Sequence, residues 1–197
     1  TLQRLSAAAA GPGAAPSSPS SEVAVVTVGH ASHSARTATR TRFDLAQQVS
    51  HKASVVAHLL TLEPDARLVL VGHSVGAYMA LEVARTLPPE SLRAAVLLFP
   101  TVMHIGATVN GTKLFPLFKF GRGVAWVAAA VVALLPSSLQ RRLVSAVGLP
   151  AGTDPMAVDA TLSLLHPEVA YNALWMALHE MREIVALDEA HARLLQD

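Results

Sequence analysis

The chain has 197 residues, 52% of them hydrophobic and 15% charged, with a net charge of +1 and no cysteine. The length suits one domain with a real core. The near-neutral charge argues against nucleic acid as a partner, and the lack of cysteine excludes disulfides and thiolate metal sites. A mean hydropathy of +0.42 and a charged fraction well under the usual ~25% make the chain greasy for a water-soluble domain.

In chain order, residues 1–6 look like the end of a helix, and the Ala/Gly/Pro/Ser stretch at 7–21 reads as a flexible loop. Residues 1–22 are therefore set apart from the rest of the chain. Val23 to Val28 is a short, continuous apolar run, as expected of a buried parallel strand. A polar loop from His30 to Thr41 leads into a helix over Phe43 to Leu62, with Asp44 or Thr41 as its cap and Glu63-Pro64-Asp65 as its stop. A second strand, Leu68 to Val71, precedes a helix over Ala77 to Thr86 that Pro88-Pro89 closes. A third strand spans Ala94 to Phe99. Strand, helix, strand, helix, strand with short connections predicts a parallel α/β sheet with right-handed crossovers. Active residues of such a sheet sit beyond the carboxyl ends of its strands, here in the loops 29–41, 72–76 and 100–113.

Between the second strand and its helix stands Gly72-His73-Ser74-Val75-Gly76. G-x-S-x-G between a strand and a helix is the pattern of a nucleophile elbow. A lone serine hydroxyl is a poor nucleophile, and the sharp turn lifts its Oγ out of the sheet to where a base can reach it. On this reading Ser74 attacks and the Val75 N–H faces a developing oxyanion. Gly72 and Gly76 avoid crowding the turn. His73 belongs to the elbow and points away from the nucleophile's face. A dinucleotide site is not supported, because Val28-Gly29-His30 stands where G-x-G-x-x-G would be needed. No cofactor is implied.

After Phe99 the pattern changes. Residues 114–120 form an aromatic cluster, and Val124 to Leu135 is an uncharged run too short for the ~20 residues that span a bilayer. The run is apolar on every side and must be buried in something. Lys113, Lys119, Arg122, Arg141 and Arg142 flank it as interface-seeking cations would. Two outcomes are open: a lipid-monolayer contact through Phe115, Phe118, Phe120 and Trp126, or a cap helix over the pocket. Residues 137–197 read as helices, with breaks near 148–150 and at His166-Pro167. The chain thus divides into a core at 23–113 and an apolar, helical region at 114–197.

The block Leu68 to Thr101, the upstream Val26 to Ser34, and Gln48, His51 and Lys52 resemble the lipid droplet-associated hydrolase family, an α/β-hydrolase group. The Phe99-Pro100-Thr101 triplet and the Asn110-Gly111 turn ahead of the aromatic segment are similar too. The resemblance implies the central part of an α/β-hydrolase with a Ser-Asp-His triad, a lipid ester substrate, and residence at lipid droplets or the endoplasmic reticulum on the cytoplasmic face. Ser74 matches the nucleophile position. The oxyanion loop, the acid and the histidine of the family are expected to lie outside this chain.

The local alternatives for those roles are weak. Asp154, Asp159, Asp188, His166, His179 and His191 follow no predicted strand, and His179 and His191 read as surface residues. His30 and His33, at a strand's carboxyl end, and His104, after the third strand, are candidates to line the pocket. No third ligand is spaced near His30 and His33, so no metal is expected. Two functions compete: a serine ester hydrolase, and a droplet-binding protein without catalysis.

Overall fold

In the computed structural model the described residues are 2–5 and 23–195, apart from 148 and 151. They form an α/β structure in which helices dominate a small amount of sheet. Strand β1 (Leu2–Leu5) pairs antiparallel with β2 (Val23–Val26), with Leu2 opposite Val26 and Leu5 opposite Val23. The reading of residues 1–6 as a helix end is thus corrected over Leu2–Leu5, where the backbone is extended and spends its hydrogen bonds on β2.

Helix α1 (Leu45–Leu62) is capped by Asp44, one of the two caps its sequence offers. The Gln47 N–H donates to the Asp44 carboxylate at 2.8 Å, and the Asp44 N–H donates back to Gln47 Oε1 at 3.0 Å, a reciprocal cap. Its inner face carries Leu45, Gln48, Lys52 and Val56. The buried Gln48 amide pairs with the Ala31 backbone in both directions, at 2.8 and 3.0 Å. Lys52 Nζ donates to the Gly29 carbonyl at 3.2 Å. These polar residues inside a helix face hold the 29–33 loop against α1, because a buried polar group left without a partner is costly.

Strand β3 (Leu68–His73) lies parallel to β4 (Leu92–Leu98), with Val71 beside Val96 and His73 beside Leu98. Helix α2 (Val75–Ala84) connects them through a short 3-10 turn and buries Ala77, Met79, Leu81 and Val83. The expected three-stranded parallel sheet is therefore only partly formed. β2 ends at Val26, belongs to a separate two-stranded sheet and makes no ladder with β3. The facing edges of β2 and β3 line a groove of about 390 Å³, with Val26 and Val28 on one wall and Val69, Val71 and Gly72 on the other. Apolar runs reveal that strands exist, but their partners are decided by tertiary geometry.

The remainder is helical: α3 (Val109–Phe120), α4 (Arg122–Ala133), α5 (Ser137–Val147), α6 (Pro155–Leu164), α7 (Pro167–Glu183) and α8 (Glu189–Leu194). Asp154 caps α6 and Pro155 opens it, as read from the sequence. Helix α7 is the spine on which α3, α4 and α1 pack. Its Met176, with Leu45, Val75, Met79 and Ile184, forms the buried centre.

Candidate active site

Residues 72–76 form the turn from β3 into α2. Ser74 sits at φ 55°, ψ −125°, a conformation that residues with a side chain avoid at a cost of roughly 1–3 kcal/mol. The turn is held from both sides. The Ser74 N–H donates to the Leu98 carbonyl at 3.0 Å, and the Ser74 carbonyl accepts from Ala77 at 2.9 Å and Thr101 at 3.2 Å. Ser74 Oγ lies 3.2 Å from Thr101 Oγ1. Among the described residues the Val75 N–H has no acceptor. Phe99, also at positive φ (45°), stands 84% exposed next to the turn, its ring edge-on to His73.

Gly72 is required sterically. A Cβ there would stand 2.3 Å from the Gly76 carbonyl oxygen and 2.6 Å from Ala77 Cα, backbone atoms that cannot step aside. Gly72→Ala is expected to destabilise the fold by about 3 kcal/mol or more, as overpacking against backbone does. A denaturant midpoint equal to that of the parent chain would contradict this. The same argument fails for Gly76. A Cβ there meets nothing within 4 Å, and Gly76 opens onto the groove between β2 and β3.

The candidate histidines do not reach Ser74 Oγ, whose described partner is Thr101. His30 lines the groove near Gly72 and His73, and its ring packs edge-on to His33 at 5.4 Å between centroids. His30 Nδ1 and His33 Nε2 are buried without a hydrogen-bond partner. Burial, with Lys52, His33 and His51 nearby, lowers His30 to about 4. Burial likewise lowers His33, against the Ala31 carbonyl contact. His104 is exposed at φ 50° in the loop after β4, where its N–H donates to the Val185 carbonyl at 3.1 Å.

His191 differs from its reading as a surface residue. It is 3% exposed, with Nε2 at 2.8 Å from the Glu82 carboxylate and Nδ1 at 2.8 Å from Asp188. Glu82 lies eight residues along α2 from Ser74, about 12 Å of helical rise. The Asp188–His191 pair therefore fastens α8 to the far end of α2 and is too distant to serve the serine. His179 pairs with Glu183, one turn on in α7. No group of three or more metal-ligating side chains occurs among the described residues.

The shift of His30 fixes a sign for acid stability. The unfolded chain takes up that proton near pH 6.5 and the fold only near 4, so stability is lost as pH falls through this window. Glu180, raised by burial to about 7, acts oppositely: its contribution is lost as pH rises from 4.5 to 7. His30→Gln should thus gain on the parent as pH drops from 6.5 toward 4 and run parallel to it above 7. Thermal melts from pH 4 to 8 check this, and curves parallel throughout would contradict it.

The expected lipid-contact residues divide between two faces. Trp126 is half-buried and its indole N–H donates to Glu168 at 3.0 Å, while Phe115 and Phe118 are also half-buried, Phe115 beneath Arg182 of α7. Of the four named from the sequence, only Phe120, at 73% exposure, stands on the outer face. The outward residues are instead Leu114, Leu117, Phe120, Val124, Val127, Val131 and Leu134. They recur at helical spacing along α3 and α4, which meet at a 72° bend. Of the run that is apolar on every side, only Ala129 is fully buried within the protein itself. No single helix among the described residues is long and apolar enough to cross a membrane.

Sequence reading missed the polar cluster behind α4. Arg42 Nη1 donates to Glu168 and Asn172, each at 2.8 Å, and the Asn172 amide donates to Ser32 Oγ at 2.9 Å. Burial alone would raise the Glu168 carboxyl, but hydrogen bonds from Trp126 and Arg42 and the charges of Arg42 and Arg40 hold it below its usual range. These partners are 126 to 140 positions apart, and no local pattern announces them.

The lipid-droplet associated hydrolase family matches residues 5–197. The chain belongs to that family. It is similar to the lipid droplet-associated hydrolases of Pongo abelii (32% identical over 157 residues), Homo sapiens (31% over 153) and Gallus gallus (28% over 147). These alignments cover 77%, 75% and 74% of this chain and 46%, 44% and 45% of those proteins. The chain thus spans just under half the length of these curated relatives. No solved structure matches it significantly.

Proposed function

We propose that this chain is the nucleophile-bearing part of a serine hydrolase that cleaves lipid esters at the surface of lipid droplets or the endoplasmic reticulum, on the cytoplasmic side. The observation that carries the reading is the Ser74 turn: a strained serine between a parallel strand and a helix, beside an uncommitted Val75 N–H. That is the arrangement an α/β-hydrolase elbow needs. Ser74 Oγ attacks the ester carbonyl and gives up its proton to a base. The carbonyl becomes an oxyanion facing Val75, the alcohol leaves with a proton, and water later releases the acyl group. The base and its acid partner come from outside the described residues. The relatives are named as hydrolases associated with lipid droplets, which supports both the activity and the place.

The outer face of α3 and α4 supports the lipid surface. Seven large apolar side chains, 42–86% exposed, lie on one bent face. The second reading, droplet binding without catalysis, draws on the same face and on the lack of a histidine at Ser74 among the described residues. A fluorophosphonate probe separates the two. Covalent labelling of Ser74 in the protein as the cell makes it, located by peptide mass, is expected. Absence of label would leave the binding reading alone.

A further inference from the structure

A second cavity of about 390 Å³ lies away from the Ser74 turn, where the 40–42 segment, the start of α4 and the start of α7 meet. It is open to solvent and lined by Arg40, Arg42, Trp126, Glu168 and Tyr171, with the exposed backbone of Gly123 beside them. Arg42 is fixed in place. Its guanidinium lies 4.0 Å from the Tyr171 ring centroid, and Nη1 serves Thr39, Glu168 and Asn172. Its Nη2 and Nε have no acceptor among the described residues. Arg40 makes neither an ion pair nor a hydrogen bond among the described residues. Two cations and one carboxylate thus face the cavity, a net charge of +1, with Glu168 already committed to Arg42 and Trp126.

We propose that this pocket is a phosphate-ester site that takes the headgroup of a phospholipid at the surface where the protein works. A guanidinium held flat by an aromatic ring and an ion pair presents its remaining donors in the fork that phosphate oxygens match. A second arginine, without an ion pair or hydrogen bond of its own among the described residues, supplies the net charge that a singly ionised phosphodiester balances. The pocket also adjoins the apolar face, because Val127 both lines the cavity and stands 55% exposed on the outer stripe. A headgroup seated between Arg40 and Arg42 would leave its acyl chains beside Val124, Val127 and Val131. This proximity favours a lipid over a free phosphate ester. The inference deepens the lipid-surface reading above and rests on it for the source of the phosphate.

The test uses the full chain and two kinds of probe. Dihexanoylphosphatidylcholine below its micelle concentration and inorganic phosphate are each titrated against the indole N–H resonance of Trp126, which reports on the Glu168 carboxylate. The expected result is a saturable shift with the short-chain lipid, at least several-fold weaker binding of inorganic phosphate, and about tenfold weaker lipid binding by Arg40→Gln. No saturable shift, or equal affinity of the parent and Arg40→Gln, overturns the proposal. Inorganic phosphate binding as tightly as the lipid overturns the lipid source. The second probe is a triacylglycerol droplet coated with phosphatidylcholine or with a phosphate-free surfactant. Preference for the phospholipid coat that Arg40→Gln removes supports the site. Equal binding to both coats with a silent titration leaves the apolar face intact and removes the site. A positive titration without binding to either droplet fails the apolar face alone.

Discussion

Replacing Ser74 by alanine is expected to abolish ester turnover by the protein as the cell makes it, a loss on the order of 10⁴ or more. The loss should come without unfolding. Alanine and serine carry the same Cβ and therefore meet the same strain at φ 55°. Among the described residues, the side-chain hydrogen bond removed is that to Thr101 Oγ1, worth about 1 kcal/mol. Turnover of p-nitrophenyl esters and a thermal melt of the same sample check both halves. Hydrolysis undiminished in Ser74→Ala would remove the assignment of Ser74. Gly72→Ala supplies the contrast, since it should cost stability first and activity as a consequence.

The second large effect is expected at the lipid surface. Val124→Asp with Val131→Asp should release the protein from droplets. Both side chains point outward, 72% and 56% exposed, and both lie off the arginine-lined cavity. An aspartate held at hydrocarbon depth costs roughly 2.5–3.5 kcal/mol, so two cost enough to lower partitioning on the order of a thousandfold or more. Covering the seven outward side chains of α3 and α4 contributes on the order of 5–10 kcal/mol before any costs of binding. On the proposed lipid-surface reading, the double change therefore removes most of what would hold the protein there. In water the same positions are free surface, and the melting temperature should barely move. Flotation with artificial droplets separates the possibilities. A variant that stays on the droplets would show that another face makes the contact, and one that unfolds would show that these valines are covered.

Legibility in the sequence tracks the range of the forces involved. The Asp44 cap, the Ser74 turn and the α2 helix are set by residues within a turn of one another, and they stand where their patterns put them. The β2–β3 relationship was not legible, because Val23 to Val28 reads as a buried strand whichever neighbour it has. Residues 1–6 carried no period strong enough to tell helix from strand. At 114–136 the apolar composition was plain, but which side faced α7 was not. Trp126 turned inward because Glu168 offers its indole an acceptor 42 residues away. His191 is buried for a similar reason, with Glu82 and Asp188 on either side. For Trp126 and for the Glu82 contact of His191, the deciding partner is distant in sequence.

The long reach of the Arg42–Asn172–Ser32 cluster bears on the order in which the chain can fold. Its contacts join positions 130 and 140 apart, so they cannot close before α7 has been made. Helix α4 is complete at Ala133, and α7, on which it packs, ends at Glu183. At ~5–20 residues per second of synthesis, roughly 3–10 s pass during which α4 has no inner partner. Over that interval the side bearing Trp126 and Ala129 is as uncovered as the side bearing Val124 and Val131. A nascent chain near a bilayer can lay either face on the lipid, and only the arrival of Glu168 and Asn172 commits one of them to the protein.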